Sequence, residues 1–176
     1  MAQLIQPLEV VQAFASRPAD IRLDKNLVEP HIQDAEYRWV MPALGEDFYN
    51  ALATEKGDTS AFSTAEYQTL WDTHLKSLCA TSTLYEASPY MVLQAGTNGL
   101  YLIDGDYGQN AGIDGLKFYQ DTLKQRIELK QKRMKDWLCA SAANLTDFVP
   151  SAIGCPETDC ACEETTDIYN SLGFVL

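Results

Sequence analysis

Apolar residues recur along this chain at steps of three and four, and the stripes they draw predict a mainly α-helical fold. The densest stretch runs from His31 to Leu52. Ile32, Ala35 and Trp39 share one face, and Leu44, Phe48 and Leu52 repeat every four residues after it. Pro42 lies between the two runs, so the pattern predicts a helix broken at that proline, which lacks a backbone donor and crowds the preceding turn. Upstream, Leu8, Val11 and Phe14 or Ala15 predict a short helix entered through Pro7, and Asp24 is placed to cap the helix that carries Leu27 and Val28. Downstream, Ser63 and Glu66 have the spacing of a capping box, and Tyr67, Leu70, Trp71, His74, Leu75, Leu78 and Ser82 draw a wide inner face, with a bend or restart at Ser88-Pro89.

The periodicity fails between Gly96 and Gly115. Six glycines crowd that interval, Asn98-Gly99 is a strong turn pair, and Leu100 to Ile103 read as a short strand. A β-hairpin or projecting loop is expected. Asp104, Asp106 and Asn110 open like a calcium loop, but Gly108 and Gly115 stand where the fifth and twelfth positions need oxygen ligands, so an ordinary turn is the reading. A last long helix follows from Asp114 to about Asn144, with Leu116, Tyr119, Leu123, Ile127, Met134, Leu138 and Leu145 inward and Trp137 beside them. The expected architecture is a bundle of four to five helices spanning 1–145, a hairpin insertion at about 96–113, and an irregular C-terminal arm at 146–176.

Charge adds a second pattern. The 176 residues carry a formal charge of -12, which disfavours a nucleic-acid-coating protein and favours protein partners. The last helix is the exception. Asp114 to Asp136 hold seven Lys or Arg and four acids, about +3, leaving about -15 for the remainder. A solvated face with pairs such as Glu128 to Lys132 explains this most simply; a basic rail through Lys124, Lys130 and Arg133, meeting the acidic surface of an identical neighbour, is the sharper reading.

Candidate chemistry is sparse. Two histidines offer no Ser/His/Asp arrangement, and His74 falls on a core stripe. No run is apolar enough to span a membrane, and the first residues lack a signal-peptide pattern, so cytoplasmic synthesis is expected. Cys155, Cys160 and Cys162 bring three thiols within eight residues, but the spacing departs from close-paired zinc motifs; they are weak metal candidates, with reduced thiols the default. No cofactor or catalytic residue is expected. Ile168 to Leu176 is too apolar to remain unattached, which makes Phe174 and Leu176 interface candidates alongside Leu100 and Tyr101 of the hairpin.

The order of elements brings in a resemblance. Pro7 to Val11, Asp24-x-x-Leu27, Ile32 to Glu36, and Pro42-x-Leu44-Gly45-x-x-Phe48-Tyr49, followed by the Asn98-Gly99 region and a long last helix, resemble head-to-tail connector proteins of tailed bacteriophages, most closely those of phages and prophages of Bacteroidetes. The resemblance spans most of residues 5 to 145 and rests on order rather than on any one motif. It implies a non-enzymatic virion protein in the neck, in a ring commonly of twelve copies below the portal protein, through which DNA passes and to which tail components attach. The cysteine-bearing tail departs from the smaller members, as does the lack of a proline-rich loop after the second helix. Two other readings remain beside it: a neck or tail-completion ring protein, and a small cytoplasmic regulatory or zinc-binding helical module.

Overall fold

The computed structural model describes residues 3–15, 25–57, 62, 64–96, 99–102 and 112–155. Helix α1 (Pro7–Ala15) is followed by α2 (Lys25–Ala35), a π turn at Glu36–Val40 and α3 (Met41–Leu44), which form one continuous rod. Next come α4 (Glu46–Lys56), α5 (Ala65–Leu70), a second π turn at Trp71–Leu75 and α6 (Lys76–Val92). Strands β1 (Leu93–Gly96) and β2 (Gly99–Leu102) pair antiparallel, and α7 (Gly112–Ser141) is the longest element. This is the expected mainly helical bundle. Helix α6 lies at its centre, packed by α1, α2 and α7.

The break in the His31 to Leu52 stretch falls at Gly45, not at Pro42. The rod runs through Pro42, which occupies the first turn of α3 directly after a π turn. A π turn accommodates this because its hydrogen bonds reach one residue further: the Met41 amide donates to the Glu36 carbonyl. Gly45 then turns the chain with φ +86°, and a side chain there would also come within 3.4 Å of Ala152 Cβ. The π turn shifts the inward register as well. Glu36 and Val40 are buried, whereas Trp39 is only partly so.

Pro89 likewise leaves α6 unbroken. Its missing amide deprives the Tyr85 carbonyl of a partner, and the Ser88 hydroxyl donates to that oxygen at 2.8 Å instead. Thr64 is the N-cap of α5, and Ser63 lies outside the described residues, as does Asp24. The Phe62 amide donates to Gln68 Oε1, so a glutamine closes this helix entry.

Four further expectations need correction. Leu8 is 60% exposed, and α1 turns Val10 inward instead, because Glu9 reaches a buried lysine described below. Tyr119 is exposed, although Leu116, Leu123, Ile127, Met134, Leu138 and Leu145 are buried as the stripe predicts. The C-terminal segment joins the body at least as far as Cys155: Leu145, Phe148 and Cys155 are core residues, and a 3-10 turn at Pro150–Ile153 packs on α3 and α7. The hairpin also begins earlier than residue 96, pairing Leu93 with Leu102 and Gly96 with Gly99.

Candidate functional site

Two sets of side chains stand out, one sealed inside the bundle and one on its surface. The inner set starts at Lys56, the last residue of α4 and 1% exposed. Its ammonium sits 3.6 Å from the centre of the Trp71 ring, pairs with Glu9 at 2.8 Å and donates to the Leu4 carbonyl. Glu36, equally buried, accepts from the Ile5 amide at 2.8 Å and from the Tyr49 hydroxyl at 2.7 Å. Burial pushes the Glu36 carboxyl above the usual carboxylate range, against the opposing pull of those two hydrogen bonds and of the Lys56 charge. Tyr49 and the fully buried Cys79 thiol are likewise pushed up by burial, which keeps both protonated. Together Glu36 and Lys56 pin residues 4 and 5 to the body. Among the described residues every buried side-chain nitrogen and oxygen has a partner.

A second polar link joins α7 to its neighbours. Lys130 Nζ donates to the Ser77 carbonyl at 2.9 Å, to Thr81 Oγ1 at 2.8 Å and to the Ser77 hydroxyl. Gln131 donates to the Trp39 carbonyl, and Trp39 Nε1 donates to Glu86, which also pairs with Arg38 at 3.3 Å. Lys130 therefore clamps the bundle, with its ammonium directed at α6. Lys124 and Arg133 are exposed on α7, as the rail requires. Arg38 pairs with Glu86 and Lys56 with Glu9, whereas Glu128 and Lys132 do not pair with each other.

Cys155 is bonded to Cys139 with the Cα atoms 5.9 Å apart, which corrects the expectation of reduced thiols. A zinc site cannot use Cys155 while that bond holds. Cys160, Cys162, Phe174 and Leu176 lie outside the described residues, as does the Asp104 to Asn110 loop. No group of three His, Cys, Asp or Glu able to hold a metal occurs among the described residues. Leu100 and Tyr101 lie in β2, opposite Ala95 and Gln94. His74 packs its ring against Trp137 at 5.6 Å, and burial lowers its proton affinity, so it is neutral at pH 7 and serves as a core-edge residue.

On the surface, α7 exposes Phe118 at 76% and Leu129 at 49%, among Lys and Arg side chains. A shallow depression beside Trp137 is lined by Ala65, Glu66, Thr69, Ser141 and Asn144. No helix among the described residues is long and apolar enough to cross a membrane. Sequence reasoning missed Glu36, Lys56 and the Cys139–Cys155 bond. Glu36 had a signal, since it lies four residues after Ile32 and four before Val40 on the inward stripe. Lys130 had one too, filling the gap between Ile127 and Met134. Lys56 had none.

No curated protein and no solved structure matches the chain. The model of a family described as a family of unknown function, DUF6712, matches residues 40–157. That span takes in the end of the bent rod, the central helix, the hairpin, α7 and the disulfide-bonded turn, about two thirds of the chain. The chain belongs to the DUF6712 family.

Proposed function

We propose that this chain is a structural subunit of a phage virion, a head-to-tail connector that forms a ring under the portal protein and offers its outer faces to tail components. The observation that carries the reading is the order of elements: a short first helix, a bent rod, a turn at Gly45, a central helix, a hairpin and a long last helix, in the sequence that resembles connector proteins. Two physical features support it. Buried polar groups are spent on holding segments together, as Lys56, Glu36 and Lys130 do, so the surface is what remains for function. An acidic chain also lets DNA slide past without adhering, since like charges repel.

A ring placed elsewhere in the neck or at the tail end would use the same faces. The metal-binding alternative is weakened by the Cys139–Cys155 bond, which withdraws two of five thiols from any site. Negative-stain imaging of the purified chain, alone and mixed with portal protein from the same phage, tests the proposal. Rings that stack on the portal are the expected result. Particles that stay monomeric, ignore the portal and carry stoichiometric zinc would replace it with the regulatory module.

A further inference from the structure

We infer that the outer face of α7 docks onto the acidic end of a second copy of this chain, through a contact in which the two sides are different surfaces. The donor face is centred on Leu129. Arg126 lies three residues before it, and Lys132 and Arg133 three and four after, so helical spacing gathers three cations around one half-exposed apolar side chain. Phe118, eleven residues before Leu129, lies three turns up the same stripe and is the most exposed large apolar residue described. None of the three cations has an ion pair among the described residues.

The acceptor surface is built by elements that Gly45 and the disulfide bring together. Phe48 of α4 packs edge-on against Tyr67 of α5 at 5.9 Å and against Phe148 at 5.2 Å. Tyr67 donates to Asp147 at 2.9 Å. The segments that meet in this cluster carry the exposed carboxylates of Glu46 and Asp47, just before Phe48, of Glu66, just before Tyr67, and of Asp147, just before Phe148, with Val149, 54% exposed, next in the chain. Segments 44–55, 64–70 and 142–155, which form this end, contain no Lys or Arg. One face thus sets three cations about an exposed leucine, and the other comes from segments whose exposed charges are all carboxylates. Opposite signs on two separate patches of one chain fit a second copy, each subunit giving one face and receiving the other. Contacts of this heterologous kind close into a ring when the rotation between copies allows it. The inference rests on the adaptor reading only in taking a second copy as the occupant.

Sedimentation velocity on the full chain at low and high salt tests it. The wild type should associate, less so at high salt. Arg126→Glu with Arg133→Glu, and separately Glu46→Lys with Asp47→Lys, should each weaken association about tenfold while thermal melting shows the fold retained. Leu129→Ser, which alters no charge, should also weaken it. Mixing the two reversed variants should restore association, because each supplies the face that the other has lost. A wild type that is monomeric throughout, single variants that associate like the wild type, or a mixture that remains apart would overturn the contact. Rings that sit on the portal but ignore both reversals would retire this contact and leave the adaptor role. Salt-sensitive, swap-dependent assembly that ignores the portal would do the reverse.

Discussion

Lys56 shows how much a single residue can hold. An ammonium at 1% exposure needs partners to offset its lost hydration, and the Leu4 carbonyl, the Glu9 carboxylate and the Trp71 ring supply them from three separate segments. Lys56→Met removes the charge and strands the Glu9 carboxylate, so urea unfolding should show a loss of about 3 kcal/mol, and amide exchange should quicken at residues 4 to 10. Glu36 gives a pH signature. Its folded proton affinity is raised, so the native state holds a proton that the unfolded chain releases at lower pH. Its contribution to stability is therefore full below the ordinary carboxylate range and is lost as pH rises through the raised value. Glu36→Gln keeps the shape without the titration. Stability measured between about pH 4 and pH 8 should decline less in that variant than in the wild type; equal slopes would remove Glu36 from the account. The stripe through Ile32, Glu36 and Val40 made its burial legible, but its partners at Ile5 and Tyr49 lie 31 and 13 residues away and left no local trace.

At the scale of elements, periodicity in the sequence locates the helices but not their breakpoints. Pro42 and Pro89 look like terminators, yet a π turn precedes one, and a hydroxyl satisfies the carbonyl orphaned by the other. The turn that does change direction is Gly45, whose φ of +86° suits only glycine and whose open side admits Ala152. Gly45→Ala should cost about 2 kcal/mol by thermal or chemical unfolding, through backbone strain at its positive φ. The Pro150–Ile153 turn is tied by Cys139–Cys155 across 16 residues. Changing both cysteines to serine, or reducing the wild type, should lower stability by about 3 kcal/mol, the loop-closure value for such a span, and should expose residues 146 to 155 to limited proteolysis. A melting temperature indifferent to reductant would show that packing of Phe148 suffices by itself.

At the scale of the molecule, charge is sorted rather than spread. α7 carries the surplus of cations, while the end built by α4, α5 and the last turn exposes only anions among its charged side chains, Lys56 being buried, so assembly should be ionic in character. Raising salt from about 50 mM to 500 mM shortens the screening length to a few ångströms and should disperse assemblies seen by mass photometry; assemblies that persist unchanged would point to a mainly apolar contact. The rail foreseen along α7 is narrower than its sequence suggested. Lys130, counted on it, turns inward to Ser77 and Thr81, leaving the cations that flank Leu129.

The sequence by itself determined the helical class, the core faces of α4, α6 and α7, the presence of a hairpin and the reversal of charge, because each follows from spacing within a few turns of one segment. Only the tertiary structure decided which polar groups are interior, where the rod truly bends and which cysteines join. Those outcomes depend on what a distant segment places opposite a side chain: a carbonyl 52 residues away turns Lys56 into core, and a serine 53 residues away turns Lys130 into a clamp.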